Sequence, residues 1–225
     1  MALVVLAGIG SSIGIAGAAW VGAAVVLLVI TAVGQRIKDI MVILILGMMF
    51  SSGVGAVVQI LQYIANDESL KMFVIWTMGA LGDVTAQQLA IFVPSVLVGL
   101  LLAVITIKSL NLLLFGEEYA ITMGLNIQRS RGLLFLSTTL LAGTITAFCG
   151  PIGFIGLAMP HVTRMLFQNS DHRVLLPGTI LSGASILLLC DVISKIFTLP
   201  INAITALLGI PIVVWVVLRN KSITA

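Results

Sequence analysis

The chain consists of long apolar runs separated by short charged segments. A helix needs about 20 apolar residues to cross the roughly 30 Å hydrocarbon core of a bilayer, and most of the runs reach that length. They are solidly apolar rather than alternating, which excludes the strands of a membrane barrel. The pattern therefore predicts an all-α, polytopic bundle of transmembrane helices. The runs without a charged residue are 1–35, 40–66, 84–107, 132–163, 174–190 and 196–218.

Two of these runs are too long for a single crossing. We interpret the first as a stub at about 2–9, a Gly/Ser turn, and a full helix at 14–34. The run from 132 to 163 divides at Gly150-Pro151, because proline cannot donate to the helix ladder and disfavours helix in the residue before it. The chain, 1–225, is thus predicted to be a single membrane domain. The remaining predicted crossings are 40–64, 87–107, 131–149, the short 152–165, 174–197 and 203–218.

Composition narrows the class of protein. About 60% of the residues are hydrophobic and 8% are charged, with a mean hydropathy of +1.24, whereas soluble domains carry roughly 25% charged residues. The lipid bilayer is therefore the expected surrounding. The net charge of +3 is spread over the loops without a basic stripe, which argues against a nucleic-acid partner. Cys149 and Cys190 lie inside apolar runs and are expected to be reduced packing residues.

Lysine and arginine divide unequally between the two sets of loops. Nine lie on one predicted side, and only Lys71 and Lys195 lie on the other. Cytoplasmic loops carry the excess of basic residues, so the carboxyl terminus is predicted to be cytoplasmic. The nine are Arg36, Lys38, Lys108, Arg129, Arg131, Arg164, Arg173, Arg219 and Lys221.

Motifs that carry chemistry are scarce. The sequence has no G-x-x-x-x-G-K-[ST] motif, no H-E-x-x-H motif and no clustered Cys/His set, so we expect neither ATP, nor another cofactor, nor a metal on this chain. Asp191 and Lys195 are the only charged residues between 174 and 218, and their spacing predicts an ion pair at the outer end of a helix. An uncharged path argues against an ion-coupled pump and favours energy from a partner. A secondary transporter or channel stays as an alternative.

Small residues recur along two stretches of the chain. In a membrane, small residues let helices approach closely, so we expect ordinary packing within the chain. A pathway lining or a subunit seam is the alternative. The two sets are Gly150, Gly153, Gly156 and Gly178, Ser182, Ser185.

The longest predicted cytoplasmic segment is 108–130. Glu117 and Glu118 stand where a short amphipathic helix would begin, and there the helix dipole favours negative charge. Gly124 is a suitable stop for that helix. The segment is either a solvated loop with capping glutamates or a small helical knob that docks on a cytoplasmic subunit. Its apolar residues recur at helical intervals at Leu112, Phe115, Tyr119 and Met123.

The residues also resemble a family. The stretch GEEYAITMG, 116–124, is similar to the coupling segment of FecCD-type permeases, the type II ABC importer subunits for iron-siderophores, haem and cobalamin. A run of the form Gly-x-Ile-Gly-Phe-x-Gly-Leu-x-x-Pro-His-x-x-Arg begins at Gly150, and Asp-His-Arg and Leu-Pro follow it, as in that family. Trp76–Gly79 and Thr205–Pro211 resemble further family segments. The resemblance covers essentially the whole chain.

The resemblance implies a fold, a role and partners. The fold would be that of a type II ABC importer permease in the bacterial cytoplasmic (inner) membrane. The chain would be a transporter subunit rather than an enzyme, acting by alternating access as a homodimer with a second permease copy. Two cytoplasmic ATPase subunits would bind the ATP, and an extracytoplasmic substrate-binding protein would deliver the iron chelate or cobalamin.

The resemblance also implies roles for individual residues. Lys195, where the family more often has arginine, would pair with a glutamate of the binding protein as a point charge rather than a bidentate fork. Pro160, His161 and Arg164 would form a structural turn at the cytoplasmic face. The residues that would fit a groove on the ATPase are Gly116, Glu117, Glu118, Ala120 and Gly124.

One departure from the family concerns length. Its members are usually longer, and this sequence begins inside what resembles their third crossing, so that roughly the first two to three helices have no counterpart. Three interpretations stay open: a fragment without transport function of its own, a split gene with the first part on another chain, or a shortened permease that works.

Overall fold

The computed structural model describes residues 17–26, 28–29, 40–82 and 84–221. The predicted stub at 2–9 lies outside these residues. In the described part every regular element is a helix. The helices are α1 (Gly17–Val26), α2 (Ile40–Ile64), α3 (Asp67–Met78), α4 (Ala86–Ile105), α5 (Ile107–Leu113), α6 (Glu117–Thr122), α7 (Ile127–Cys149), α8 (Ile155–Phe167), α9 (His172–Phe197) and α10 (Ile201–Lys221).

Four of the described helices are long and apolar enough to cross a membrane. They are Ile45–Ile64, Ala86–Ile105, Ile127–Cys149 and His172–Phe197. These agree with the predicted 40–64, 87–107, 131–149 and 174–197. By contrast, α8 has 13 residues and spans about 20 Å at a rise of 1.5 Å per residue, less than the roughly 30 Å of the hydrocarbon core.

Side-chain caps explain several helix starts. Thr85 and Gln88 form a reciprocal capping box at α4: the Thr85 amide donates to Gln88 Oε1 at 2.9 Å, and the Gln88 amide donates to Thr85 Oγ1 at 3.4 Å. Asn126 accepts from the Arg129 amide at 3.0 Å. This cap starts α7 at Ile127, four residues before the predicted 131, because it satisfies one of the free amides of the first turn.

Small residues bring the helices into close contact. A Cβ atom added to Gly99 of α4 would lie 2.6 Å from Leu141 Cγ of α7. One added to Gly178 of α9 would lie 2.8 Å from Thr163 Cγ2 of α8, and Thr163 Oγ1 hydrogen-bonds Ser182 Oγ at 2.9 Å. At Gly178 and Ser182 the predicted small-residue face therefore packs within the chain.

A second close contact joins α3 to the end of α7. Gly150 and Gly79 both have positive φ, +82° and +76°, and a Cβ on Gly150 would lie 3.0 Å from Gly79 Cα and still closer to the Trp76 carbonyl oxygen. Trp76 Nε1 donates to the Thr146 carbonyl at 3.1 Å, and the Ala80 amide donates to the Cys149 carbonyl at 3.0 Å. We call this contact the Gly79–Gly150 junction. It ends α7 and starts the extended residues before α8, which explains why that helix begins at 155 rather than 152.

The cysteines behave as packing residues. Both are buried and free of disulfides, as predicted. Cys190 packs in a cluster with Ile201 and Ile204 of α10.

Candidate coupling and docking sites

The segment between α4 and α7 folds into two short helices, α5 and α6. α6 begins at Glu117, as predicted, directly after Gly116, whose φ is +99°. It ends at Thr122, and the chain turns at Gly124, where φ is +83° and the Leu125 amide donates to the Ala120 carbonyl at 3.0 Å. That last bond closes a left-handed helix stop of the Schellman kind. The predicted short helix is therefore confirmed, with glycine in a left-handed conformation at each end.

One face of α6 is built into the protein and another is exposed. Ala120 is fully buried. Phe115, Tyr119 and Met123 are 73%, 50% and 58% exposed, and the Phe115 and Tyr119 rings lie 5.6 Å apart. Three large apolar side chains are therefore exposed together at α6 and its two ends.

The two glutamates of α6 have different surroundings. Glu117 forms an ion pair with Arg131 of α7, a partner that sequence reasoning did not single out. Among the described residues Glu118 makes no ion pair, and it is exposed. Glu117 therefore ties α6 to the helix bundle, whereas Glu118 is available to a partner.

A second side chain that the sequence did not reveal is Asn111 of α5. Its Nδ2 donates to Asp171 Oδ1 at 2.6 Å. Its Oδ1 accepts from the His172 amide at 2.9 Å and from His172 Nδ1 at 2.7 Å. Because a carbonyl oxygen can only accept, His172 Nδ1 must carry the proton. A side chain of the 108–130 segment thus holds the first residues of α9.

Asp171 caps α9 as a carboxylate. Its Oδ1 accepts from the Arg173 amide at 2.8 Å. The pKa of Asp171 lies below its ordinary value, chiefly because of this bond and next because of the bond from Asn111. Hydrogen bonds to the charged form lower a carboxyl pKa.

The lowered pKa of Asp171 predicts a pH effect at the start of α9. A carboxylate with a lowered pKa in the folded state contributes stability at pH values above the unfolded pKa, about 3.9, and loses it as pH falls through the folded value. The amides of residues 172–175 should therefore exchange with solvent faster at pH 3 than at pH 6, after correction for intrinsic rates. Asp171→Asn should remove that difference in hydrogen exchange, and equal pH dependence in both proteins would contradict the assignment.

The structural turn predicted at Pro160, His161 and Arg164 is not formed. All three residues lie inside α8. The turn comes later, at Gln168, which has a φ of +49°. An interior proline is tolerated in a membrane helix because neighbouring groups satisfy the freed carbonyl. Arg164 stands in the last turn of α8, where the helix dipole favours a positive charge.

Neither histidine is part of a cluster suited to a metal ion. His161 is exposed on α8, and His172 is held by Asn111. Within the described ranges no three His, Cys, Asp or Glu residues are grouped for metal binding.

Lys195 lies in the last turn of α9. Its Nζ is 2.7 Å from Asp191 Oδ2, which confirms the predicted ion pair. The lysine side chain is 67% exposed, whereas that of Asp191 is 17% exposed. Lys195 follows His172 by 23 positions, which corresponds to about 35 Å along the helix axis. Asn111 of α5 therefore contacts the first residue of α9, and Lys195 lies near the other end of that helix.

Comparison with known proteins identifies relatives. The model of the FecCD transport family matches residues 1–219. The hemin transport system permease protein HmuU of Yersinia pestis is 36% identical over 183 residues, 80% of this chain and 54% of that protein. The vitamin B12 import system permease protein BtuC of Klebsiella pneumoniae is 39% identical over 163 residues, 71% of this chain and 49% of that protein. The chain spans about half the length of these curated relatives.

A solved structure shares the fold. It shows an inward-facing conformation of a protein assigned to the metal-chelate type of ABC transporter, and the likeness covers 97% of this chain and 71% of that one, with a TM-score of 0.79 and 30% identity. The chain therefore has the all-α fold of a type II ABC importer permease and is a multi-pass membrane protein. Its relatives are permease subunits rather than enzymes. Because the family pattern extends over residues 1–219, the chain belongs to the FecCD transport family.

Proposed function

We propose that this chain is the membrane-spanning subunit of an ATP-driven importer. The observation that supports this most is α6. It is held between Gly116 and Gly124, tied to α7 through Glu117 and Arg131, and exposes Glu118 beside Phe115 and Tyr119. A short helix anchored on one face and apolar on the other is suited to dock on a second subunit. In this proposal that subunit is a cytoplasmic ATPase, which binds and hydrolyses the ATP.

The proposed mechanism is alternating access. Two copies of the permease form the pathway between them, and two ATPase subunits bind the two α6 surfaces. ATP binding brings the ATPases together, the α6 helices move with them, and the permease subunits tilt about the substrate. A binding protein on the outer side, near Lys195, delivers the substrate. In this proposal the 108–130 segment and the carboxyl terminus lie in the cytoplasm, which the excess of basic residues on that side supports, and the membrane is the bacterial inner membrane.

The proposed substrate is an iron chelate, either a siderophore or haem, or cobalamin. Two relatives are named for hemin and vitamin B12 transport, which supports this class. Between 174 and 218 the only charged residues are Asp191 and Lys195, and these pair with each other. A path with so few charges suits a bulky ligand that is held by shape.

The first test is purification of the tagged chain from its native membrane in mild detergent, with its companions identified by mass. We expect an ATPase subunit in the eluate, and we expect Glu118→Lys to remove most of it, because the substitution reverses the free charge of the docking surface. The Glu117→Lys, Glu118→Lys double variant should also lose stimulation of ATP hydrolysis while still inserting in the membrane.

Glu68→Lys is the matched control. Glu68 is exposed and is the second residue of α3, as Glu118 is of α6, but it lies outside the 108–130 segment. It should leave the ATPase subunit bound. An eluate without an ATPase subunit would argue against the importer, and equal loss with Glu68→Lys would argue against the role of α6.

A further inference from the structure

The start of α9 is completed by a residue from another helix. The first four amides of a helix have no partner within it. In α9, the Arg173 amide donates to Asp171 Oδ1 at 2.8 Å, and those of Val174 and Leu175 donate to the Asp171 carbonyl at 3.0 and 2.9 Å. The remaining amide, that of His172, donates to Asn111 Oδ1 at 2.9 Å. Asn111 therefore acts as part of the N-terminal cap of α9, although it precedes that helix by 61 positions.

Three hydrogen bonds orient Asn111 relative to α9. Its amide nitrogen donates to Asp171, and its oxygen accepts from both the backbone and the ring of His172. Asn111 is half-buried, so these bonds are partly shielded from competing water. Rotation of α5 against α9 would break several of them together. A displacement of α5 would therefore also displace the first turn of α9, because the two helices could not slide past each other without breaking these bonds.

The second turn of α9 is packed on α8. Gly178 lies against Thr163 and Phe167, such that an added Cβ would be 2.8 Å and 3.0 Å from their side chains. Thr163 is fully buried and bonds Ser182 one turn later. A displacement of the α9 start thus has little room to be absorbed at this contact, because packed interfaces are not continuously deformable.

From this geometry we infer that Asn111 is a positioning residue that couples the α6 docking surface to the opposite side of the membrane through α9. This inference rests on the proposed function and extends it. Movement of α5 and α6 with the ATPase shifts the capped start of α9, and the helix carries the shift to its last turn, where Lys195 lies. In the reverse direction, a protein bound at Lys195 changes the position of α6 and so the rate of ATP hydrolysis.

The test uses the purified complex of this chain with its ATPase subunits in lipid, with and without its substrate-binding protein. Asn111→Leu keeps the branched shape of the side chain and removes all three hydrogen bonds. We expect the ATPase subunits to stay bound and basal hydrolysis to persist. Stimulation by the binding protein should fall about fivefold or more, the lower end of usual coupling effects.

A compensating substitution separates coupling from general stability. Asn111→Asp alone sets two carboxylates against each other and should lose stimulation. Combined with Asp171→Ser, it should regain stimulation, because one serine hydroxyl can donate to the new carboxylate and still accept from the Arg173 amide, and serine is also a good helix cap. Ser109→Ala is the matched control, because Ser109 on the same α5 bonds Ser130 of α7 at 3.2 Å rather than α9, and it should leave stimulation unchanged.

The outcomes distinguish the inference from the proposed function. If the unsubstituted chain carries no ATPase subunit, the proposed function fails. If it does, three results overturn the role of Asn111 alone: normal stimulation in Asn111→Leu, loss of the ATPase subunits from that variant, or no rescue of Asn111→Asp by Asp171→Ser.

Discussion

Gly150→Val is expected to destabilise the folded chain by about 3 kcal/mol or more. The position has a φ of +82°, a conformation in which a β-branched residue is a genuine outlier. An added Cβ would also lie 3.0 Å from Gly79 Cα and closer still to the Trp76 carbonyl. Both neighbours are backbone, so neither can move aside as a side chain would. Thermal unfolding of the purified chain in detergent measures the effect.

Gly156→Ala is the control for this substitution. Gly156 belongs to the same run of small residues, but nothing lies within 4 Å of an added Cβ, and its φ is not in the left-handed region. Alanine in place of glycine at a compatible helical position is neutral or slightly stabilising. Similar thermal stability of Gly150→Val and Gly156→Ala would show that the Gly79–Gly150 junction is not essential to the fold.

Lys195→Glu is expected to reduce substrate uptake about tenfold or more, with normal amounts of the protein in the membrane. In the proposed complex Lys195 faces an acidic group of the binding protein, and a rim charge in such an interface controls the association rate. Reversal replaces attraction by repulsion. Uptake into cells or vesicles at low salt, where charges are least screened, is the measurement.

Asp191→Asn separates docking from the ion pair within α9. It breaks the pair with Lys195 but leaves the lysine charge exposed. A helix pair four residues apart whose lysine is exposed contributes only about 0.3–0.5 kcal/mol, so this variant should fold normally and keep its uptake. If Asp191→Asn impairs uptake as much as Lys195→Glu, then the lysine acts through the ion pair and not through docking.

Local features of the sequence were sufficient for much of the fold. Four described helices lie within a few residues of predicted crossings, because their approximate bounds follow from charged residues and from Gly150-Pro151. The helix at Glu117 and its stop at Gly124 are likewise local, since their signals lie within a few residues. The Asp191–Lys195 pair needed only the spacing of four.

Contacts between distant parts of the chain could not be predicted in the same way. Arg131 pairs with Glu117 across 14 positions, and Asn111 bonds residues 60 and 61 positions away. No periodicity relates such residues, and an asparagine within a short helix could form hydrogen bonds with many different partners. The predicted turn at Pro160 rested on the resemblance alone, and the structure has Pro160 inside α8, as membrane helices allow.

Gly116 and Gly124 have a consequence for how this surface can diversify. Each turns the backbone into the left-handed region, at φ values of +99° and +83°, and an added Cβ at either would have open space around it. The path of the chain into and out of α6 is thus fixed by backbone conformation and not by the side chains that the helix presents. If α6 docks on the ATPase as proposed, substitutions at its exposed positions should therefore alter which ATPase it binds without altering the backbone path set by the two glycines.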